Sequence, residues 1–384
     1  MMNKSLIALA LGTFAMGIAE FAIMGILTDV ASAMDVSISR AGDFISAYAA
    51  GVAVGAPSLL LLSKYRIRSV LIFLGCVIAF GNLLCAVSQD YYTLLISRFI
   101  SGLPHGAYFG TAAIAASRLV PEGRGAQAVA VMIAGMSVSN VIGVPTTTLL
   151  TNLVSWRLTF VIATIFGIMT AFSVRYFVPQ IPASAPHSMK SEFRFLRHLA
   201  PWLIYAGIFI GQLSAYCWMS YMEPMLTEVT GFTTGNMTWV MIIAGSGMVT
   251  GGLVAGKLAD KYKPAFVSGM ATIILTFLMP LIYFCAPFKV PSILFMFIAA
   301  ACLFAIGGPM QYLIVKFAPG GEMLGGAGIQ IAFNVSNAMA AALGGFAIHA
   351  GWGIASPALV GIPFAIIASV IFMTLHHRYG PQGA

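Results

Sequence analysis

The sequence predicts an all-α integral membrane protein with twelve transmembrane helices. Of its 384 residues, 60% are hydrophobic and only 8% are charged, whereas a soluble domain carries about 25% charged residues. Apolar runs such as residues 70–80 lack the alternation of a β-barrel strand. At ~20 to 25 residues per tilted helix, about twelve spans fill the chain and leave short loops.

Charged residues, prolines and glycines mark the ends of the predicted helices. The spans are placed at 5–28, 42–62, 69–88, 93–117, 126–150, 156–178, 201–224, 236–257, 265–286, 292–316, 323–348 and 355–376. The longest connector, residues 179–200, contains three prolines and several basic residues. We expect it to link an N-terminal six-helix half, residues 1–178, to a C-terminal six-helix half, residues 201–384.

The basic residues predict the orientation in the membrane. Of the 19 Lys and Arg residues, fifteen lie on one side of the predicted spans, three lie on the other, and Arg98 lies within a span. Short loops rich in Lys and Arg face the cytoplasm. Both termini and the linker are therefore predicted to be cytoplasmic.

Short internal repeats relate the two predicted halves. The tripeptide Val-Ser-Asn at 138–140 recurs at 335–337, and the Lys-Tyr pair at 64–65 recurs at 261–262; both offsets are 197 residues. Because each half has an even number of spans, the two halves share one orientation. The sequence therefore predicts parallel repeats related by an axis along the membrane normal.

Several motifs point to a family. The most specific is the stretch 11–25, in which Leu-Gly-Thr-Phe is followed by Ala-Glu-Phe and Ile-Met-Gly. The others are Gly-Lys-Leu-Ala-Asp-Lys at 256–261, Arg98 with Gly102 and Gly106, Gly-Val-Pro at 143–145, and Trp-Arg at 156–157 with Phe160. On these motifs the chain resembles the major facilitator superfamily, and within it the drug/proton antiporter branch that includes arabinose-efflux-permease-like sugar exporters.

The resemblance implies the major facilitator fold, in which two parallel-repeat six-helix halves expose a central site alternately to either side. It also implies a bacterial inner-membrane location, proton-coupled export and a gating role for Asp260. In the first half of the chain, Ser63 occupies the position at which members of the family usually carry the corresponding Asp.

Glu20 is an acidic residue deep inside a predicted span, because residues 12–28 contain no other charged residue. An ionised carboxylate in hydrocarbon is costly, so it faces a cavity, pairs with a cation or stays protonated. A change in the access of water to the carboxyl group, or in a neighbouring cation, shifts its equilibrium between the protonated and ionised forms. We predict that Glu20 takes up and releases the transported proton. The alternative is a structural carboxylate that is hydrogen-bonded between helices.

Arg98 and His105 lie seven residues apart in the fourth predicted span, on one helix face. A guanidinium stays charged, so Arg98 needs a carboxylate, carbonyls or cavity water. The family resemblance implies that it acts in proton movement, and an imidazole changes charge near neutral pH. The alternatives are an Arg98 that reaches the outer interface and a His105 held by a carbonyl freed by Pro104.

Polar and aromatic residues elsewhere predict a neutral, hydrogen-bonding substrate site. They recur at helical spacing in the seventh and eleventh predicted spans. Such a site suits an uncharged polyhydroxylated or amphipathic ligand, although each residue alone could equally bond between helices. The candidate substrate-binding residues are Tyr108, Asn140, Gln212, Tyr216, Trp218, Gln311, Tyr312, Gln330, Asn334 and Asn337.

Two Gly/Pro pairs inside predicted spans are hinge candidates. They are Gly143 with Pro145 and Gly308 with Pro309. Missing backbone bonds and adjacent glycines permit bending in a membrane helix. A static kink is the alternative at both places.

The predicted function is secondary active transport: proton-coupled efflux of a small neutral or amphipathic solute, such as a sugar. The alternatives are a multidrug/proton antiporter of broader specificity and an uncoupled facilitator or receptor. No GxxxxGK[ST], HExxH or GxSxG motif occurs, which disfavours an ATPase or a membrane enzyme. The expected partners are a small-molecule substrate, protons and the lipid bilayer, with no nucleic acid, cofactor or metal, and the chain is expected to act as a monomer.

Overall fold

A computed structural model describes residues 4–58, 62, 64–121, 125–182, 193–319 and 321–379. The regular secondary structure of these residues is helical. The helices are α1 Lys4–Phe21, α2 Leu27–Ala33, α3 Ile38–Gly55, α4 Ile67–Val87, α5 Tyr91–Gly102, α6 Pro104–Arg118, α7 Gly125–Val138, α8 Val144–Leu153, α9 Arg157–Phe177, α10 Leu199–Met219, α11 Met237–Tyr262, α12 Pro264–Cys285, α13 Lys289–Phe317, α14 Glu322–His349 and α15 Pro357–Tyr379. Short helical turns are Ala22–Gly25, Ser139–Gly143, Arg194–Arg197, Met222–Pro224, Met225–Val229 and Thr234–Asn236.

Ten helical segments among the described residues are long and apolar enough to cross a membrane. Large apolar side chains are exposed along them, including Phe80, Phe277 and Val370. In a membrane such a surface contacts lipid tails instead of water. The count of twelve spans stays a prediction, because the segments predicted at 42–62 and 93–117 are not among the ten.

Prolines explain how these two segments differ from the prediction. The first forms α3, which ends at Gly55, two residues before Pro57. The second is divided at Leu103, and Pro104 begins the next helix, α6. Proline has no backbone N–H to donate and its ring disfavours a helical residue before it, so a helix often ends there.

One compact unit comprises the described residues of Met1–Val36 and Ala47–Pro186. In it α1 packs on α7 and α9, and α9 packs on α4, around a core that includes Leu9, Met16 and Leu71. Helices α3 and α5 cross backbone to backbone. A Cβ built on Gly51 would lie 2.1 Å from the Phe99 carbonyl oxygen, so only glycine permits this approach.

A second compact unit comprises the described residues of Ser37–Ser46 and His187–Ala384. In it α10 packs on α13, α14 and α15, while α11 packs on α13 and α12 packs on α15. After α10 ends at Met219, the chain continues through the short turns Met222–Pro224 and Met225–Val229. The helix faces that meet here carry the polar residues of the seventh and eleventh predicted spans.

Candidate functional site

Four buried polar side chains meet in the first unit. Glu20 is the penultimate residue of α1, Tyr48 lies in the middle of α3, Arg98 lies in α5, and His105 lies in the first turn of α6. Each is at most 1% exposed. The break before Pro104 places His105 at a helix start, and the close crossing of α3 and α5 brings Tyr48 to Arg98. We call these four residues the carboxyl cluster.

Tyr48, His105 and Glu20 form a chain of polar contacts. The Tyr48 hydroxyl lies 2.9 Å from His105 Nδ1 in a hydrogen bond, and the same nitrogen lies 3.9 Å from Glu20 Oε2. The His105 ring stacks on Phe109, with ring centroids 5.1 Å apart. This stacking and the tyrosine hydrogen bond fix the imidazole beside the carboxyl group.

Arg98 is held by a carbonyl and by aromatic rings. Its Nη1 donates a 2.6 Å hydrogen bond to the carbonyl oxygen of Ala19, next to Glu20 in sequence. Its guanidinium lies 4.4 Å from the centroid of the Tyr48 ring and 5.7 Å from that of Phe160. These are cation–π distances, and such contacts are stronger when desolvated. Arg98 is also close enough to act electrostatically on Glu20.

Glu20 differs from its neighbours in its hydrogen bonding. Neither of its carboxyl oxygens accepts a hydrogen bond from any side chain or backbone group that the structure describes. A buried carboxyl in this state has a cation and an imidazole nearby but is bonded to neither. Its charge is therefore free to change without the loss of a hydrogen bond, which suits a group that exchanges a proton.

Tyr48 was not among the candidate residues from sequence. It carries no formal charge, and the only signal is an isolated tyrosine in the run of small residues 46–56. By contrast, Glu20 and Arg98 were selected by their placement in apolar segments, and His105 by its helical spacing from Arg98. The structure brings these three together.

Other candidates of the first unit lie elsewhere on its helices. The Tyr108 hydroxyl donates to the carbonyl oxygen of Leu9 at 3.0 Å. Asn140 lies buried in the π-helical turn Ser139–Gly143, and neither atom of its amide group has a partner among the described residues. Gly143 faces Ile18 of α1, and Pro145 lies in the first turn of α8.

Amide side chains of two helices, α10 and α14, form hydrogen bonds within the second unit. Gln212 of α10 donates through Nε2 to the carbonyl oxygen of Leu303 in α13, at 3.1 Å. One turn later, Tyr216 meets Phe333 of α14 edge to face, with ring centroids 5.4 Å apart. The next residue, Asn334, donates through Nδ2 to the carbonyl oxygen of Gln330 at 2.9 Å.

The remaining candidates of the second unit have varied surroundings. Asn337 is buried, and Trp218 Nε1 donates to the sulfur of Met225 at 3.2 Å. Gln311 is partly buried, while Tyr312 is 55% exposed beside Lys316. Gly308 and Pro309 lie within the continuous helix α13, and Asp260 lies on α11 with its side chain outside the described residues.

Comparisons with known proteins agree over nearly the whole chain. The family model described as Major Facilitator Superfamily matches residues 9–329. The Escherichia coli K12 protein AraJ is 40% identical over 387 aligned positions, covering 100% of this chain and 97% of AraJ. The inner membrane transport protein YdhP of Escherichia coli K12 is 35% identical over 374 positions, covering 97% of this chain and 95% of YdhP.

A more distant relative and a solved structure extend the comparison. A chloramphenicol resistance protein of Streptomyces lividans is 29% identical over 346 positions, covering 88% of this chain and 87% of that protein. The crystal structure of a bacterial homolog of the human lysosomal transporter Spinster, in an inward-facing conformation, matches with a TM-score of 0.75. It covers 97% of this chain and 96% of that chain at 15% identity, so it shows the shared fold alone.

Proposed function

Because the chain belongs to the major facilitator superfamily of membrane transporters, we propose that it exports a small neutral or amphipathic solute, such as a sugar, in exchange for protons. The two predicted six-helix halves, 1–178 and 201–384, would work by alternating access around linker 179–200. The relative YdhP is an inner membrane protein, which supports the same location here, with both termini in the cytoplasm.

One observation carries the coupling proposal: Glu20 is buried, accepts no hydrogen bond from described residues, and lies 3.9 Å from His105. Burial makes the neutral carboxyl less costly than the ionised one in this position. An ionised one requires a nearby cation, and Arg98 is the cation that acts on it. Protonation of Glu20 therefore changes how strongly α1 is attracted to α5. A conformational equilibrium biased in this way couples proton movement to transport.

The amides and aromatic rings of the second unit are the proposed substrate contacts, together with Asn140 of the first. They offer hydrogen-bond donors and acceptors. Their helices also carry aromatic rings such as Tyr216 and Phe333, which suit the apolar face of a sugar. Gly143, Pro145, Gly308, Pro309 and Asp260 are the proposed hinge and gate residues.

A second candidate function is a drug/proton antiporter of broader specificity. The chloramphenicol resistance protein of Streptomyces lividans, at 29% identity, favours it. The carboxyl cluster serves either function, because the energy source is the same and only the ligand differs. An uncoupled facilitator or a receptor would make no use of a titratable Glu20.

Transport in proteoliposomes tests the proposal. We expect an imposed pH gradient to drive accumulation of radiolabelled L-arabinose or chloramphenicol against its concentration gradient. Glu20→Gln should abolish accumulation but retain exchange of labelled for unlabelled solute. Asp90→Asn is the matched control, because Asp90 is an exposed carboxylate at the start of α5 and asparagine retains the capping oxygen. Accumulation that does not respond to the pH gradient contradicts proton coupling.

A further inference from the structure

Three helix ends meet at one end of the first unit. They are the start of α4 at Ile67, the end of α6 at Arg118 and the end of α9 at Phe177. The chain that follows α9 joins them. The Ile67 N–H donates to the Ile181 carbonyl oxygen at 3.2 Å. Arg118 Nη1 donates to the next carbonyl oxygen, that of Pro182, at 3.1 Å, so Arg118 lies near the first turn of α4.

Two further arginines flank the start of α4. Arg66 immediately precedes the helix, and Arg68 is its second residue. Both adjoin Ile67, whose backbone N–H bonds the chain after α9, so they lie at the same end of the unit as Arg118. We call Arg66, Arg68 and Arg118 the arginine cluster. It gathers three guanidinium groups where three helices begin or end.

Arg68 contains a buried donor that the described protein groups do not satisfy. Its Nε atom is inaccessible to solvent and donates no hydrogen bond to any described residue. A guanidinium stays charged in proteins, so a buried donor on it without an acceptor is costly. At the opposite end of α9, by contrast, Arg157 Nη2 donates to the Ser88 carbonyl oxygen at 2.7 Å. A negatively charged acceptor from outside the chain would remove the cost at Arg68.

Within the described residues of the first unit, no carboxylate lies at this end. The start of α1 is here, because the Ser5 hydroxyl donates to the Phe177 carbonyl oxygen. The acidic residues that the structure describes in this unit lie at or beyond the other ends of α1 and α4; they are Glu20, Asp29, Asp35 and Asp90. The arginine cluster therefore has no described carboxylate to neutralise it.

The start of α4 strengthens the attraction for an anion. Arg66 is the N-cap residue of this helix, and its side chain does not cap it. The first N–H groups of a helix and the helix dipole favour a negative charge at this position. Arginine side chains bind phosphate groups through parallel hydrogen bonds. A phosphate group therefore matches the arginine cluster in charge and in hydrogen-bonding chemistry.

The arginine cluster lies at the boundary of two candidate membrane spans. The span Ile67–Val87 begins here, and the span Arg157–Phe177 ends here. Tyr65 is exposed just before the first span, and aromatic side chains of this kind are typical of a membrane interface. Phe73 and Phe177 are exposed within the two spans. A phosphate that carries acyl chains can contact both the arginines and this apolar surface, whereas a free phosphate would use the arginines alone.

We propose that the arginine cluster binds the phosphate headgroup of an anionic phospholipid, with Arg68 donating to it through Nε. Basic residues next to a membrane helix attract anionic headgroups. The buried donor of Arg68 and the uncapped start of α4 distinguish this place from a diffuse basic surface. The proposal concerns a lipid and not the transported solute, so it does not depend on proton coupling or on the identity of the solute.

The test uses the full-length protein in an uncharged detergent. The probes are dioctanoyl phosphatidylglycerol, dioctanoyl phosphatidylcholine and inorganic phosphate. We expect phosphatidylglycerol to raise the thermal unfolding midpoint in a saturable way, because it binds the folded state. Phosphatidylcholine has the same chains but no net charge, and it should bind roughly tenfold or more weakly. Inorganic phosphate should bind as weakly, because it lacks the chains.

The other outcomes contradict the proposal. Equal binding of the two lipids would show that the negative charge is not recognised. Inorganic phosphate that binds as tightly as phosphatidylglycerol would identify a site for a free anion and overturn the lipid assignment. No shift with any of the three probes overturns the site itself.

Variants localise the binding. Arg68→Gln should weaken the affinity for phosphatidylglycerol about tenfold, because a hydrogen bond to a charged group is lost. Arg68→Lys keeps the charge but lacks Nε and the planar guanidinium, so it should recover only part of the affinity. Arg197→Gln is the matched control: Arg197 is an exposed arginine of the second unit, and its loss changes the net charge equally. It should leave the affinity within twofold.

Equal weakening in Arg68→Gln and Arg197→Gln would show a general electrostatic attraction and overturn the site. Full affinity in Arg68→Lys would contradict the role of Nε. Arg66→Gln covers the case in which Arg68→Gln fails to fold, because Arg66 is exposed; unchanged affinity in Arg66→Gln contradicts the arginine cluster. Glu20→Gln should bind phosphatidylglycerol normally while losing proton-driven accumulation, so failure of the lipid site is distinct from failure of coupling.

Discussion

The hydroxyl group of Tyr48 lies 2.9 Å from Nδ1 of His105, and this hydrogen bond joins α3 to α6 beside Glu20. The same tyrosine ring lies 4.4 Å from the Arg98 guanidinium. The Tyr48 side chain thus contacts both His105 and Arg98 of the carboxyl cluster. It sets the position of the imidazole through its hydroxyl and that of the guanidinium through its ring.

Tyr48→Phe should change the pH profile of transport. Phenylalanine keeps the ring beneath Arg98 but removes the hydrogen bond that orients His105, so the half-maximal pH of transport should move. Tyr108→Phe is a matched control, because Tyr108 is equally buried and its hydroxyl bonds the Leu9 carbonyl oxygen at 3.0 Å. Both variants should lose about 1 kcal/mol of unfolding free energy. Identical pH profiles for the two variants would show that Tyr48 has only a structural role.

Arg98→Lys should reduce transport at least tenfold. Lysine keeps the charge but loses the planar guanidinium that stacks on Tyr48 and bonds the Ala19 carbonyl oxygen. The unfolding free energy should fall by roughly 1–3 kcal/mol, because a buried hydrogen bond to a charged group is disrupted. The measurements are initial transport rates and thermal unfolding in nanodiscs.

Arg157→Lys is the control for that substitution. Arg157 has similar chemistry at a less buried place: its Nη2 donates to the Ser88 carbonyl oxygen at 2.7 Å and its guanidinium lies 4.5 Å from the Trp156 ring centroid. We expect it to keep near-normal transport. Equal losses in the two variants would contradict a specific role of Arg98 in the carboxyl cluster.

Gly42 and Tyr221 should be energetically coupled within the second unit. The Tyr221 hydroxyl donates to the Ala341 carbonyl oxygen of α14 at 2.7 Å, and a Cβ built on Gly42 would lie 1.8 Å from that hydroxyl oxygen. Gly42→Ala should therefore destabilise the protein, and Tyr221→Phe should remove part of the clash. A double-mutant cycle measures this coupling: the loss of stability in the double variant is compared with the sum of the losses in the two single variants, each from thermal unfolding. Strict additivity of the two changes would refute this contact.

Asp90 should stabilise the protein in a pH-dependent way. Its carboxylate accepts hydrogen bonds from the backbone N–H groups of Thr93 and Tyr92 at the start of α5, and these lower the pKa of Asp90 below its ordinary value of 3.8. A group with a lowered folded-state pKa contributes stability above its unfolded pKa and loses it as the pH falls through the folded value.

The thermal unfolding midpoint, measured as a function of pH, tests whether the Asp90 carboxylate stabilises the start of α5. The difference between the original protein and Asp90→Asn should be present near neutral pH, where the carboxylate is charged. It should shrink as the pH falls below about 3.8 toward the lower folded-state value. A difference that is constant over this range would mean that the charge of Asp90 contributes nothing.

The sequence indicated much of the first-unit cluster because charge is rare in this chain. Glu20 and Arg98 stand out within apolar segments, and helical spacing connects Arg98 to His105. Tyr48 could not be found in this way, since its role depends on the crossing of α3 and α5 that Gly51 permits. A hydropathy pattern does not predict where helices cross or which group a tyrosine hydroxyl bonds to.

The fold was predictable where apolar length determines it. The division at Leu103 was not predicted, because the hydropathy pattern indicates one continuous span at 93–117; Pro104 at the start of α6 explains the division. The π-helical turn Ser139–Gly143 was not predicted either, because the hydropathy of these residues does not distinguish a π-helical turn from an α-helix. Hydrogen bonds from side chains to backbone carbonyl groups could not be predicted from the sequence either. The bond from Tyr108 to Leu9 and the 55% exposure of Tyr312 depend on tertiary packing, which composition does not encode.

The most direct test of the central claim, that Glu20 carries the coupled proton, is a measurement of proton movement driven by solute. Proteoliposomes containing a pH-sensitive dye are given a gradient of the solute that the chain transports, and Glu20→Gln is compared with the original protein and with Asp90→Asn. We expect solute-driven proton movement in the original protein and in Asp90→Asn, and none in Glu20→Gln, which still exchanges labelled solute. Proton movement of normal size in Glu20→Gln would contradict the account.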